Sequence, residues 1–202
     1  MKRLLLATRN PKKLAELRRI LAPVLPDLQV LGLNDVAPYD EVPETGATFV
    51  DNALLKARAA AAHTGLISIA DDSGITIDAL NGMPGVLSAR WSGKHGDDQA
   101  NLELVLAQLA DVTDDRLGAA FVCAAALVVP ETNHGKVSEE RMLGHLVRQP
   151  RGTNGFGYDP IFVALGETAT TGELAPERKD AISHRGKALR ALVPYIVTAI
   201  EA

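Results

Sequence analysis

Residues 3–17, RLLLATRNPKKLAEL, pass from an apolar run through a polar turn into helical spacing, and this change decides how the fold begins. The run from Arg3 to Ala7 predicts a short, buried strand. Asn10 is a favoured residue just before a helix, and Pro11 suits the first helical position. Leucines at positions 14, 17 and 21 recur at spacings of three and four residues, which is typical of one face of an amphipathic helix. The stretch therefore predicts a strand followed directly by a helix.

The same alternation of apolar runs with helical spacing continues along the chain. Further strands are predicted at residues 28–33, 66–70, 118–129, 137–147 and 161–163, a helical turn at 173–179, and further helices from Thr48, Asp97 and Ser183. We expect the strand that ends at Ala70 to stop at Asp71-Asp72-Ser73-Gly74, and Pro194 to kink or break the last helix. The two long strands in the middle predict a hairpin. The pattern therefore favours an α/β fold with a mixed sheet.

Composition and charge limit the kinds of protein this chain can be. Of its 202 residues, 47% are hydrophobic and 23% are charged, which is typical of a soluble globular protein and excludes a mostly disordered one. No linker divides the chain, so we expect one domain over residues 1–202. The formal charge of 21 − 25 = −4 is unfavourable for binding a nucleic-acid polymer. With no apolar run near ~20 residues and one cysteine, we expect a cytoplasmic protein without a membrane span.

The turn between the first strand and the first helix is a candidate phosphate site. It consists of Thr8, Arg9, Asn10, Pro11, Lys12 and Lys13. Backbone N–H groups at a helix N-terminus are unpaired and carry a partial positive charge, which suits a phosphate. Lys13 and the Thr8 hydroxyl would add donors. The turn lacks the glycines of a Walker loop, however, and an ordinary capped helix explains the same residues.

Acidic residues mark two further candidate sites, and the pair Asp71-Asp72 predicts bound Mg²⁺. Asp71 and Asp72 follow an apolar strand, where their charges would be costly without a cation, and Mg²⁺ prefers hard oxygen ligands. Glu44 lies in a polar loop before the second helix, on which Asn52 and Lys56 share one face. Taken singly, a polar turn, a solvated loop and a surface lysine also account for these residues.

Two segments near the carboxyl terminus suit a planar base. In the loop Gly155-Phe156-Gly157-Tyr158-Asp159-Pro160, glycines on both sides of Phe156 leave its ring open for stacking. Lys179 and the sequence Ser183-His184-Arg185 gather cations and donors at a helix start, and Arg185 can donate to a phosphate or a base carbonyl. The alternatives are aromatic packing in the core and a capped helix with surface charges.

Other chemistries fit the sequence poorly. No two histidines have the spacing of three or four residues that is typical of helical zinc ligands. The single cysteine, Cys123, lies in an apolar run that predicts a buried structural thiol. The chain has neither a Gly-x-Ser-x-Gly elbow nor a Gly-x-Gly-x-x-Gly turn after its first strand. We therefore expect no zinc site, no serine hydrolase triad and no Rossmann dinucleotide site.

Five motifs, taken together and in order, resemble the inosine/xanthosine triphosphate pyrophosphatase family. They are Thr8-x-Asn10-x-x-Lys13, Glu44-Thr45-Gly46-x-x-Phe49-x-x-Asn52-Ala53-x-x-Lys56-Ala57, Ala70-Asp71-Asp72-Ser73-Gly74, Gly155-Phe156-Gly157-Tyr158-Asp159-Pro160 and Ser183-His184-Arg185-Gly186. The resemblance spans nearly the whole chain. It implies an α/β fold in which an elongated mixed β-sheet with flanking helices forms two lobes around a central cleft. It also implies a homodimer.

The resemblance further implies a reaction and the roles of individual residues. Members of this family hydrolyse ITP, dITP and XTP between the α- and β-phosphates, with Mg²⁺ as cofactor, to the nucleoside monophosphate and pyrophosphate. Glu44 and Asp72 would bind the metal, and Asp72 would be the catalytic proton acceptor. The residues that would bind the substrate are Thr8, Arg9, Asn10, Pro11, Lys12, Lys13, Lys56, Ser73, Phe156, Gly157, Tyr158, Asp159, Lys179, His184 and Arg185.

Three alternatives stay open on the sequence alone. A metal-bound carboxylate is a poorer base, so Asp72 either binds the metal through water or shares the proton transfer with Asp71. A related pyrophosphatase could prefer modified pyrimidine triphosphates. A nucleotide-binding sensor would bind ITP with Mg²⁺ and release no product.

Overall fold

A computed structural model of the chain describes residues 2–40, 42–130, 132 and 135–202. Its elements follow in the order β1 (Arg3–Leu6), α1 (Pro11–Leu21), β2 (Gln29–Leu31), α2 (Phe49–Thr64), β3 (Ser68–Ile77), α3 (Asp98–Gln108), β4 (Gly118–Val128), β5 (Gly135–Leu146), β6 (Phe162–Ala164), α4 (Pro176–Ile182) and α5 (His184–Glu201). The chain divides into two compact units. Unit 1 consists of Met1–Asp72, Cys123–Glu140 and Arg185–Ala202, and unit 2 of Ser73–Val122 and Arg141–His184.

Among the residues that the structure describes, six strands form one sheet in the order β2-β1-β3-β4-β5-β6. β1 pairs in parallel with both β2 and β3, whereas β5 and β6 are antiparallel. The sheet is therefore mixed, and together with the helices it confirms the predicted α/β fold.

Local hydrogen bonds explain where the helices of unit 1 begin and end. At the start of α1, the Asn10 side chain accepts a backbone N–H of the first turn, and Pro11 occupies the first helical position, as predicted. At the start of α2, the side chains of Thr48 and Asp51 each accept the other's backbone N–H, which is a capping box. Gly65 ends α2 in a left-handed conformation with φ 64°. α1 and α5 bury their apolar faces against the strands in a core that includes Leu6, Leu17, Ile69, Leu127 and Leu192.

Unit 2 has an apolar core of its own. α3 begins after Asp97, whose side chain accepts the Ala100 N–H at 3.3 Å, and Leu102 and Val105 of this helix are buried. The same core contains Ile75, Ile77, Phe121, Leu146, Tyr158, Ile161 and Phe162. Because the core includes Tyr158, it fixes one end of the glycine-rich loop that carries Phe156.

The predicted stop of the third strand at Asp71 is wrong. β3 runs without interruption from Ser68 to Ile77, so both acidic residues lie inside a strand and not in a turn at its end. Gly74 lets the segment that carries Ser88 pack closely against β3, because a Cβ at that position would lie 2.3 Å from the Ser88 hydroxyl oxygen. Successive side chains of a strand point to opposite faces, so the side chains of Asp71 and Asp72 diverge.

The predicted break of the last helix at Pro194 is also wrong. α5 continues from His184 to Glu201 with Pro194 inside it. Proline removes one intrahelical hydrogen bond, but the buried side chains of Leu189, Leu192 and Ile196 hold the helix to the core on both sides of that point.

The helical turn predicted at 173–179 lies slightly later, as α4. Within the described ranges, none of the helices has both the length and the apolar character needed to cross a lipid bilayer.

Candidate active site

The turn before α1 is held by its own side chains. Thr8 Oγ1 accepts the Asn10 N–H at 3.2 Å, and Asn10 Oδ1 accepts the Lys12 N–H at 2.9 Å. Arg9 and Lys12 are exposed, and Arg9 donates to Asn34 Oδ1 at 3.5 Å. The turn therefore presents cations at a helix N-terminus, which is the arrangement expected of a phosphate site.

One face of β3 carries a buried carboxylate that contacts two cations. Lys13 Nζ lies 2.8 Å from Asp71 Oδ2, and Arg185 Nε lies 3.1 Å from the same oxygen. Burial by itself would raise the pKa of the Asp71 carboxyl, but the charges of Lys13 and Arg185 outweigh it and hold that pKa well below its usual range. Asp71 is therefore ionised at neutral pH, and it fixes two of the predicted substrate-binding cations.

The opposite face of β3 carries a different cluster around Asp72. Lys56 Nζ lies 2.8 Å from Asp72 Oδ1 and 3.0 Å from Glu44 Oε1, so one ammonium group joins the two predicted metal ligands. Asn52 Nδ2 donates to Asp72 Oδ2 at 3.1 Å, while Asn52 Oδ1 accepts the Gly46 N–H at 2.7 Å. In the part of the chain that the structure describes, no group of three or more His, Cys, Asp or Glu side chains could hold a metal ion. Any metal site in this cluster would therefore consist of the carboxylates of Glu44 and Asp72.

The electrostatics of this second cluster favour proton transfer at Asp72. Burial raises the pKa of the Asp72 carboxyl; the Lys56 ammonium opposes this shift, and the negative charge of Glu44 adds to it. Burial would lower the pKa of Lys56, but the charges of Asp72 and Glu44 outweigh burial and raise it. Asp72 is thus a better proton acceptor than an ordinary surface carboxylate, and Lys56 stays protonated beside it.

In unit 2, the glycine-rich loop presents one aromatic side chain to solvent. Phe156 is 51% exposed. Its backbone N–H donates to Asp159 Oδ2 at 2.8 Å, and Lys179 forms an ion pair with the same carboxylate. Lys179 Nζ also lies 5.5 Å from the centre of the Phe156 ring, which is within cation–π range. The structure therefore brings together three of the residues predicted to bind the nucleotide.

The next two residues attach this loop to the rest of unit 2. The Gly157 N–H donates to Asp98 Oδ2 at 2.8 Å, and the buried Tyr158 donates its hydroxyl to the Ser88 carbonyl oxygen at 2.8 Å. Burial raises the pKa of the Tyr158 phenol, and the negative charge of Asp98 contributes to the same shift. The Tyr158 side chain thus fixes the loop from inside the core.

The predicted residues at the start of α5 are buried. The imidazole of His184 stacks on the Phe121 ring, with 5.1 Å between ring centres and 8° between the planes. Ser183 Oγ donates to the Asp180 carbonyl oxygen at 3.3 Å. Arg185, next along the chain, contacts Asp71 as described above. Ser73 is half-buried in β3.

Polar residues outside the predicted set also contact its members, among them Asn52 and Asp98. Asn52 bonds to Asp72, and its spacing of four residues from Lys56 on α2 was the available signal. Asp98 bonds to Gly157, which lies 59 residues away in sequence, so no local pattern could indicate the contact.

Known proteins resemble this chain over almost its whole length. The Ham1 family model matches residues 4–195. A protein of Nocardia farcinica named dITP/XTP pyrophosphatase is 61% identical over 197 residues, which cover 97% of this chain and 95% of that protein. A crystal structure named nucleoside-triphosphatase / dITP/XTP pyrophosphatase, from Mycobacterium abscessus, is 60% identical with a TM-score of 0.80 and covers 95% of this chain and 99% of that chain. A HAM1 protein of Coxiella burnetii is 41% identical with a TM-score of 0.90, covering 98% of this chain and 100% of that chain.

Proposed function

This chain belongs to the Ham1 family, and from that premise we propose that it hydrolyses ITP, dITP and XTP to the nucleoside monophosphate and pyrophosphate. Relatives that are 55% and 61% identical to it carry the name dITP/XTP pyrophosphatase. The observation that carries the proposal is the cluster of Glu44, Lys56 and Asp72, in which two carboxylates lie 3.0 and 2.8 Å from one ammonium group. Such a cluster combines a proton acceptor with oxygen ligands for a divalent cation. Both assist the attack of water on phosphorus.

The triphosphate would be held by the cations of unit 1. A nucleoside triphosphate carries about four negative charges at neutral pH, and its cleavage depends mainly on positioning and charge stabilisation. The residues that we assign to it are Thr8, Arg9, Asn10, Pro11, Lys12, Lys13 and Lys56. Lys13 and Lys56 already have carboxylate partners, which hold their ammonium groups in place before the substrate binds.

Glu44 and Asp72 would hold a Mg²⁺ ion. Their oxygens converge on one positive charge, the Lys56 ammonium, so the pair is already arranged for a cation. Mg²⁺ is usually bound by one or two carboxylates, with waters and substrate phosphates as the other ligands, so this donor set fits it. When bound, the ion neutralises phosphate charge and polarises the phosphorus–oxygen bonds.

Asp72 would accept the proton of the water that attacks the α-phosphorus, with pyrophosphate as the leaving group. Lys56 and Asn52 each contact one of its carboxylate oxygens, so its orientation is set before the substrate arrives. Asp71 is a poor base, because Lys13 and Arg185 hold its pKa low. We therefore assign the proton transfer to Asp72 alone, which would then bind Mg²⁺ through a water molecule.

The base would be bound by the residues predicted for it. Phe156 offers an exposed ring for stacking, and the other assigned residues are Ser73, Gly157, Tyr158, Asp159, Lys179, His184 and Arg185. Hypoxanthine and xanthine carry a carbonyl at the 6-position, where adenine carries an amino group. A donor from His184 or Arg185 would pair with that carbonyl. An unpaired buried donor costs about 1–3 kcal/mol, which disfavours adenine.

We extend the proposal to the setting of the protein. The resemblance supports a homodimer, with each chain forming a single pyrophosphatase domain over residues 1–202. The negative formal charge of −4 argues against a nucleic-acid polymer as partner. We also propose a cytoplasmic location and no membrane partner.

Pyrophosphate release should be fast with ITP, dITP and XTP and much slower with ATP and GTP. For ATP the reason is the 6-amino group described above. Guanine carries the same 6-carbonyl as hypoxanthine, so the slow reaction expected with GTP follows from the family resemblance. The measurement is kcat/KM for all five nucleotides with Mg²⁺, with identification of the first product. Equal values for the five, or inorganic phosphate as the first product, would contradict the proposal. Preference for modified pyrimidine triphosphates would assign the related pyrophosphatase activity, and binding of ITP without product would assign a sensor.

Removal of divalent metal should lower the hydrolysis rate by at least about tenfold. Without the ion, only the lysines neutralise the phosphate charge, and the carboxylate pair repels it. The measurement is ITP hydrolysis after treatment with a chelator and again after addition of excess Mg²⁺, which should restore the rate. Thermal unfolding, recorded in parallel, controls for damage by the chelator. Full activity after exhaustive chelation would remove Mg²⁺ from the proposal.

A further inference from the structure

The loop that presents Phe156, itself part of unit 2, is held at three successive residues. The Phe156 N–H donates to Asp159 Oδ2 and the Gly157 N–H donates to Asp98 Oδ2, each at 2.8 Å. Tyr158 is anchored through its buried side chain. The Phe156 ring, by contrast, is half-exposed, so the attachments hold the backbone of the loop and leave this ring accessible.

The glycines on both sides of Phe156 explain why such attachments are needed. Gly155 and Gly157 have φ values of 79° and 60°, in the left-handed region that glycine adopts without strain. A Cβ at Gly155 would lie 2.1 Å from Asp159 Oδ2, so the backbone passes close to that carboxylate. The same glycines give the peptide wide conformational freedom. Without hydrogen bonds to its N–H groups, the Phe156 ring would sample many orientations.

The two carboxylates act differently: one bonds within the loop, and the other connects the loop to α3. Asp159 lies three residues after Phe156 and therefore forms a bond within the loop. Asp98 lies 59 residues from Gly157 in sequence, in the first turn of α3. Buried Leu102 and Val105 fix this helix in the core. A carboxylate in the first turn is also favoured by the helix dipole. Asp98 thus connects the loop to a rigid element.

We propose that Asp98 is a positioning residue for the nucleobase. Its carboxylate holds the Gly157 amide on α3 and thereby keeps the Phe156 ring in one orientation, so that a planar purine stacks without first ordering the loop. Ordering a flexible loop during binding lowers affinity, and a preorganised loop avoids that loss. Because Asp98 acts through Gly157, it should affect binding of the base and not the chemical step. The inference rests on the proposed function, in which Phe156 stacks on the base.

Three variants separate this role from general stabilisation of α3. Asp98→Ala removes the acceptor, Asp98→Asn keeps an acceptor oxygen, and Asp97→Ala is the matched control, since Asp97 caps the same helix through the Ala100 N–H. We expect Asp98→Ala to raise KM for ITP by about tenfold, which equals about 1.4 kcal/mol, with kcat nearly unchanged. Asp98→Asn should keep most of the wild-type affinity. The inhibition constant of inorganic tripolyphosphate, which has no base, should stay the same in all three variants.

The kinetic and hydrogen-exchange results each either support or overturn the positioning role of Asp98. An unchanged KM in Asp98→Ala would overturn the inference, and so would an equal weakening of ITP and tripolyphosphate. Hydrogen exchange of the peptide at residues 153–158 tests the attachment without substrate. Faster exchange in Asp98→Ala but not in Asp97→Ala supports the inference, and unchanged exchange overturns it. A wild-type protein that does not hydrolyse ITP would refute the proposed function instead, and the exchange data would still show whether Asp98 holds the loop.

Discussion

Asp72→Asn should lower kcat for ITP by about 10²- to 10⁴-fold, the range typical of losing a general base. An amide cannot accept a proton at neutral pH, whereas a carboxylate at this position can. Substrate binding should be largely kept, because the substitution is nearly isosteric, keeps one oxygen that can face the metal and leaves Glu44 and the lysines in place. The measurements are single-turnover hydrolysis and the dissociation constant of ITP, both with Mg²⁺.

Asp27→Asn provides the control for this experiment, since it changes an exposed carboxylate in the same unit. Its turnover should match that of the wild type. Turnover within threefold of the wild type in Asp72→Asn would refute the assigned role. A donor-to-donor contact with Asn52 is expected in the variant, because Asn52 cannot turn its amide without losing the Gly46 N–H bond. Thermal unfolding should therefore be recorded for both variants.

Asp71→Ala should lower the free energy of unfolding by about 3 kcal/mol, because it leaves two cations without their buried partner. The Lys13 and Arg185 side chains are 20% and 11% exposed, so water can compensate only in part. For a protein of this size, the expected fall in melting temperature is roughly 6–12 °C. The measurement is calorimetry without nucleotide.

A second substitution identifies the cause of this loss. Lys13→Met in the Asp71→Ala background removes one of the two cations that lose Asp71 as a partner and should recover part of the stability. A melting temperature for Asp71→Ala within 2 °C of the wild type would show that the ion cluster is energetically neutral.

The stabilising effect of Asp71 should also depend on pH. Its folded pKa is lower than its value in the unfolded chain, which is about 3.9. Its contribution is therefore complete at pH values well above 3.9 and is lost as the pH falls toward the lower folded value. The difference in stability between the wild type and Asp71→Ala should shrink accordingly in acid.

The helix ends could be predicted from the sequence because the interactions that form them are local. The Asn10 cap of α1 and the Thr48–Asp51 box of α2 each involve residues within three positions of one another. Gly65 ends α2 through its own backbone conformation, which few other residues adopt without strain. Each of these features can be recognised without knowledge of the rest of the fold.

The course of β3 could not be predicted in this way. The sequence Asp71-Asp72-Ser73-Gly74 has the composition of a turn, and its residues remain in a strand because distant side chains neutralise the acids. Lys13 and Arg185 lie 58 and 114 residues from Asp71 in sequence. The motif resemblance predicted which residues form the site. The separate partners of Asp71 and Asp72, and the contact of Asp98 with Gly157, follow only from the three-dimensional arrangement.

The divergence of two neighbouring acids within one strand has a consequence for how this chain can change length. Inserting or deleting one residue between Ile69, which pairs with β1, and Asp71 would shift both acids by one position along β3 and reverse the faces to which they point. An insertion would move the carboxylate away from Lys13, and a deletion would move one away from Lys56. Loops elsewhere can tolerate added residues, but in β3 a single-codon indel would remove the carboxylate of one cluster.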